Sequence, residues 1–123
     1  MVVLAGKVPL IGFSAAPWTL MYYMVGGSSK SGQKNGVNWL LNHPVESKKL
    51  LDLLTTVVID YMSAQVDAGA DLLQLFEAMG MFIEEDLFYR WAMPTMDRIA
   101  RFSPYFHPGI IQFTPTFYPI ITQ

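Results

Sequence analysis

Few side chains in this 123-residue sequence are of a kind that does chemistry near neutral pH. It has two histidines, His43 and His107, each beside a proline, and no cysteine. Neither histidine stands at ligand spacing from a carboxylate, so no metal site is expected, and thiolate ligands and a cysteine nucleophile are excluded. Glu84-Glu85-Asp86 reads as negative charge in the first turn of a helix, where the helix dipole favours it. Gly26 to Gly36 contains Ser-Gly-Gln-Lys but lacks the glycine spacing and Gly-Lys-Ser/Thr ending of a phosphate loop, and reads as a surface loop. No Ser/His/Asp arrangement and no Gly-x-Ser-x-Gly elbow is present. Spacing alone names no reaction.

What remains is position, and position depends on the elements. Val8 to Phe13 is a continuous apolar run, and so is most of Asp71 to Glu77. Such runs, without polar alternation, are typical of strands in a parallel sheet covered on both faces. After the first run, Pro17 suits the start of a helix over Trp18 to Val25, ended by Gly26-Gly27. A short helix is expected from Val37 to Asn42. Pro44 opens the longest helix, to about Ala68, with Leu50, Leu54, Val57, Val58, Tyr61 and Gln65 as its inward stripe. Gly69 is a natural stop. A further helix runs from Glu84 to Met93 and continues after a break through Pro94 to Phe102. Beyond that the chain reads as irregular, with one strand at Ile110 to Phe113.

This is a βαβ pattern, and in parallel α/β architectures ligands bind beyond the carboxyl ends of the strands. The residues to inspect therefore follow Phe13 and Phe76: Ser14 to Tyr23, and Glu77 to Gly80. Tyr23 and Trp18 fall on different faces of the first helix. The Tyr23 hydroxyl can reach the rim or be buried in the core, and the residues leave both open. For Phe13 and Phe76 the residues alone favour an ordinary place in the barrel or sheet core.

Composition narrows the partners. Apolar residues are 52% and charged residues 15%, with eight Lys+Arg against ten Asp+Glu. No basic excess exists to bind nucleic acid. The uncharged run Val8 to Val25 is interrupted by Pro9 and Pro17, and Phe102 to Gln123 carries four prolines, so neither is expected to span a membrane. The chain is nevertheless more apolar than a free-standing domain of this size needs, which implies cover from elsewhere.

Gly12-Phe13-Ser14-Ala15-Ala16-Pro17-Trp18-Thr19-Leu20-Met21-Tyr22-Tyr23 resembles the signature of the uroporphyrinogen decarboxylase family. That signature is Gly-Phe, two small residues, a free position, Pro, an aromatic, Thr, an aliphatic, two free positions and Tyr. Ala68-Gly69-Ala70, Leu73 to Glu77, and Met93-Pro94 are similar to the family's following strand and helix. The resemblance covers about Leu4 to Ala100. It implies residues 1–101 as part of a (β/α)8 barrel, roughly two consecutive β/α units joined by a long crossover helix, with residues 102–123 an unassigned proline-rich tail. It also implies a cytosolic, homodimeric carboxy-lyase of haem biosynthesis. That enzyme removes the carboxyl groups of four acetate arms of uroporphyrinogen to give coproporphyrinogen, without metal or organic cofactor.

Carried over by position, Tyr23 matches a substrate-contacting tyrosine, and Phe13 and Phe76 match apolar wall positions. Ala78 stands where the family has a serine, a loss of roughly 0.5–1.5 kcal/mol if that hydroxyl bonds substrate. The chain is one residue short before Gly26-Gly27 and again after Ala78. The family's aspartate, arginines and late histidine fall outside the sequence, so no catalytic residue is expected within it. A complete barrel needs about 250 residues, so an internal fragment without decarboxylase activity of its own is expected. Two other readings exist: a corrinoid or thiol methyltransferase on the same barrel, and a non-catalytic remnant that pairs with an intact copy.

Overall fold

A computed structural model describes residues 8–27, 32–102 and 111–114. Part of the Gly26 to Gly36 loop, His107 and most of the tail beyond residue 102 therefore lie outside the described residues.

Strand β1 (Ile11–Ala15) is followed by helix α1 (Pro17–Gly26), α2 (Gln33–Asn42), α3 (Pro44–Asp67) and strand β2 (Leu72–Phe76). A 3₁₀ turn at Gly80–Phe82, α4 (Glu85–Leu87), a π turn at Phe88–Ala92, α5 (Met93–Phe102) and β3 (Ile111–Thr114) complete the order. The protein is α/β, with a parallel three-stranded sheet in the order β1-β2-β3. Ile11 pairs with Leu72 and Ala15 with Phe76, so β1 and β2 end level. β3 lies within one residue of the strand expected at Ile110 to Phe113 and adds a third parallel strand to those of the two expected units; its register runs from Leu73↔Ile111 to Phe76↔Thr114.

The first strand begins three residues later than its apolar run suggests. Pro9 has no N–H to offer a ladder. Leu10 instead donates its N–H to Asp71 Oδ2 (2.8 Å) and accepts the Asp71 N–H at its carbonyl (2.7 Å), which fixes the entry to both strands. Helix α2 starts at Gln33, not Val37, drawing in Gly36. That glycine is buried where a Cβ would stand 3.1 Å from the Trp18 ring, so its absence lets α1 and α2 approach closely.

Helices cover one face of the sheet. Leu73 and Leu75 of β2 pack with Val58 and Met62 of α3 and Met96 and Ile99 of α5. A second cluster, with Trp18, Met21 and Tyr22 of α1 at its centre, joins Leu40, Leu51, Met79 and Leu87. The opposite face is open, with Ile11 52% and Phe13 59% exposed.

The inward side of α3 differs from the expected stripe. Ser47, Leu51, Thr55, Val58 and Met62 are buried, while Val57 and Tyr61 are exposed. Two of the buried five are polar, but the Ser47 hydroxyl donates to the Trp39 carbonyl (2.8 Å) and the Thr55 hydroxyl to the Leu51 carbonyl (2.6 Å). Hydroxyls satisfied in this way are inexpensive to bury, so apolarity alone points to the wrong face. Leu53, Val57 and Tyr61, four apart, are left as an exposed apolar row.

Glu84 to Asp86 do open a helix, with Glu85 and Asp86 in its first turn. The expected break before Pro94 is a π turn, not a gap. Pro94 has no N–H to donate to the Arg90 carbonyl, and the ladder widens just before it.

On β1, the Ala16 N–H donates to the Phe76 carbonyl (2.7 Å) and the Leu10 carbonyl faces Asp71, so even-numbered backbone groups point at β2. By alternation those of Phe13 point to the open flank. There the Gln65 side-chain amide brackets them: Gln65 Oε1 accepts the Phe13 N–H (2.8 Å) and Gln65 Nε2 donates to the Phe13 carbonyl (3.0 Å). A Cβ on Gly12 would lie 2.5 Å from Gln65 Oε1, so glycine is what lets this side chain cross β1.

Candidate functional site

The carboxyl ends of β1 and β2 bring together most of the residues singled out from the sequence. Side chains alternate along a strand. Phe13 therefore shares the open face with Ile11, while Gly12 and Ser14 turn toward the helices and are buried. Phe76 is half-buried, and its ring meets that of Phe13 edge to face, centroids 6.0 Å apart at 80°. The two phenylalanines form one apolar patch beneath the strand ends.

Ala78 lies two residues beyond Phe76 and is half-buried against the Trp18 cluster. Its N–H donates to the Thr19 hydroxyl oxygen at 2.9 Å. The Trp18 indole N–H donates to the Met79 carbonyl at 3.2 Å. The start of α1 and the loop after β2 are thus bonded directly. Tyr23 lies one turn beyond Thr19 on the same face of α1 and is 39% exposed. It is therefore outside the core, and the buried tyrosine of α1 is its neighbour Tyr22. Among the described residues the Tyr23 ring and hydroxyl have no hydrogen-bond or ring partner.

Glu77 falls within the Glu77 to Gly80 segment to inspect, though no role is expected of it from the sequence, and it is the unusual group of this region. It is wholly buried between β2 and α1. Its Oε1 accepts the Thr19 hydroxyl at 2.6 Å and the Met79 N–H at 3.3 Å, while Oε2 has no partner among the described residues. Burial raises its pKa from 4.5 to about 7, against hydrogen bonds from the Thr19 hydroxyl and the Met79 and Thr19 amides that lower it. The one sequence signal was an acid at the end of an apolar strand. Ala16, at the N-cap of α1, has no side chain able to cap the helix, and Glu77 supplies an acceptor for the Thr19 N–H from a different element.

The chain's three arginines, Arg90, Arg98 and Arg101, all stand on the π turn and α5. An open cleft of about 350 Å³ between α3 and these elements is lined by Lys48, Asp52, Arg90, Trp91 and Arg98. Asp52 pairs there with Lys48 (3.1 Å) and more loosely with Arg98 (3.8 Å). Among the described residues no three His, Asp or Glu side chains cluster as metal ligands. No helix among them is long and apolar enough to cross a membrane.

The uroporphyrinogen decarboxylase (URO-D) family model matches residues 2–120. Among curated proteins, the chain is 42% identical over 107 residues to the uroporphyrinogen decarboxylase of Dictyostelium discoideum, covering 87% of this chain and 29% of that protein. It is 48% identical over 98 residues to the mouse enzyme of that name, covering 80% and 27%. The corresponding figures for the Salinibacter ruber enzyme are 43% over 107 residues, 87% and 30%. The chain thus spans less than a third of the length of these relatives. Their shared name lends no support to the methyltransferase reading.

Proposed function

Because the chain belongs to the uroporphyrinogen decarboxylase family, we propose that it contributes one wall of a (β/α)8 barrel that decarboxylates the acetate arms of uroporphyrinogen to coproporphyrinogen. In this reading β1, β2 and β3 are consecutive barrel strands and the open face is the barrel interior. Phe13 and Phe76 pack against the tetrapyrrole, Tyr23 bonds to it from the rim, and Ala78 flanks it without the hydroxyl of the family's serine. The observation that carries the reading is the joint placement of Phe13, Phe76 and the Thr19–Ala78 junction at the level carboxyl ends of two parallel strands. The family resemblance adds a cytosolic, homodimeric setting for the assembled enzyme and a reaction without cofactor.

The chain supplies wall and rim but not charge. Its arginines stand on the outer helical layer, and the acid nearest the strand ends, Glu77, is sealed from solvent. Coproporphyrinogen formation by the purified chain tests this: none is expected, while binding of uroporphyrin is. Substantial turnover refutes the division of labour, and absence of binding refutes the site.

A further inference from the structure

A fully buried carboxyl with one oxygen unpartnered costs free energy, and such a group calls for a reason. Glu77 cannot touch a ligand on the open face. That face is uncovered here, leaving Phe13 more than half exposed, yet Glu77 has no exposure at all. Whatever Glu77 does, it does through the groups it bonds.

Those groups are the two junctions that carry the candidate site. Thr19 stands in the first turn of α1, four residues before Tyr23, and its hydroxyl is used twice. It donates to Glu77 Oε1 (2.6 Å) and accepts the Ala78 N–H (2.9 Å). The same carboxylate oxygen accepts the Met79 N–H (3.3 Å), closing the loop after β2 onto itself. A hydroxyl has one proton, so donation to the carboxylate leaves its lone pairs for the Ala78 amide. The carboxylate thus orients the hydroxyl, and the hydroxyl orients the loop.

We infer that Glu77 is a positioning residue that locks the β1–α1 junction bearing Tyr23 to the β2 loop bearing Ala78 in one arrangement. This inference rests on the reading given under Proposed function for what the two junctions serve, but the lock itself rests on the bonds alone. It gives an expensive group a purpose: an apolar residue fills the space but leaves the Thr19 hydroxyl free to turn and the Ala78 and Met79 amides without a fixed partner.

The test uses the 123-residue chain as wild type, Glu77→Gln, Glu77→Leu and Thr19→Val. Two readouts are taken: amide hydrogen exchange at Ala78 and Met79, and uroporphyrin binding followed by fluorescence quenching. Glu77→Gln keeps the accepting oxygen, and both readouts stay within about threefold of wild type. Glu77→Leu keeps the volume and the helical circular dichroism, but both amides exchange about tenfold faster and uroporphyrin binds about tenfold more weakly. Thr19→Val removes the bridge with the carboxyl intact, and deprotects Ala78 while sparing Met79. General loosening deprotects both amides in every variant.

Unchanged Ala78 exchange in both Glu77→Leu and Thr19→Val overturns the lock. Glu77→Gln behaving like Glu77→Leu overturns the acceptor argument. Faster exchange with unaltered uroporphyrin affinity overturns the positioning role while leaving the site standing. A wild-type chain that does not bind uroporphyrin overturns the site reading instead, and the exchange comparison then decides the lock. If Glu77→Leu does not fold, Thr19→Val carries the same decision.

Discussion

The rings of Phe13 and Phe76 meet edge to face across two parallel strands, centroids 6.0 Å apart, although their Cα atoms are not register partners. Phe13 is opposite Gln74, and Phe76 is opposite Ala15. The contact is therefore diagonal, made possible by the small partner at Ala15. Two wall residues 63 positions apart in sequence become one surface at the strand ends.

That contact has a measurable strength. A double-mutant cycle with Phe13→Ala and Phe76→Ala, read by urea unfolding, is expected to give a coupling of about 0.5–1.5 kcal/mol. Additive effects would mean that the rings share a face without interacting.

Tyr23 is expected to matter to ligand more than to folding. Tyr23→Phe should change stability by less than about 0.5 kcal/mol, because the hydroxyl has no partner among the described residues. Uroporphyrin affinity should fall about three- to tenfold, as for loss of one hydrogen bond. A large stability loss with unaltered affinity would return Tyr23 to a structural role.

Glu77 should make stability depend on pH in the less common direction for an acid. Its folded pKa, about 7, lies above the ordinary 4.5, so between those values the folded chain holds a proton that the unfolded chain has released. Its contribution is present in full below pH 4.5 and is lost as pH rises through 7. The size is on the order of 3 kcal/mol. Urea midpoints at pH 5 and pH 8 check this: the wild type should be the more stable at pH 5, and Glu77→Gln should lose most of the difference. The opposite slope in the wild type would show the carboxylate to be better solvated than its burial implies.

Gln65→Ala removes both bonds at the open flank of β1. A loss of about 1–2 kcal/mol in urea unfolding is expected, together with increased self-association in sedimentation, since Phe13 then presents unpaired N–H and C=O groups. Unchanged stability would mean that water replaces the amide without cost.

The strands and long helices were legible because each signal was local: apolar runs, Pro17 and Pro44 at helix starts, and the glycine after α3. What was hidden depended on partners distant in sequence. The buried side of α3 includes Ser47 and Thr55, polar by type but satisfied by Trp39 and Leu51 carbonyls that only the folded chain supplies. Glu77 read as the polar end of a strand, because its main partner, Thr19, is 58 residues away. Gln65 does face inward as its place in the stripe implies, but the sequence does not show that its amide spans Gly12 to reach the backbone of Phe13. Phe13, Phe76, Tyr23 and Ala78 stand out by their place at the expected strand ends, and the roles proposed for them come from a twelve-residue signature and its sequel.

The Gln65 amide presents to β1 what a peptide group would: one carbonyl and one N–H, aimed at a single residue. An incoming strand on that flank must therefore trade like for like, surrendering two bonds at Phe13 for two of its own. Such an exchange is close to thermoneutral, so backbone pairing by itself gives a newcomer little advantage there. Recruitment to that side must be decided by side chains, through the oily surfaces of Ile11 and Phe13. The choice of neighbour is thereby left to shape, where a bare strand margin would accept almost any extended segment.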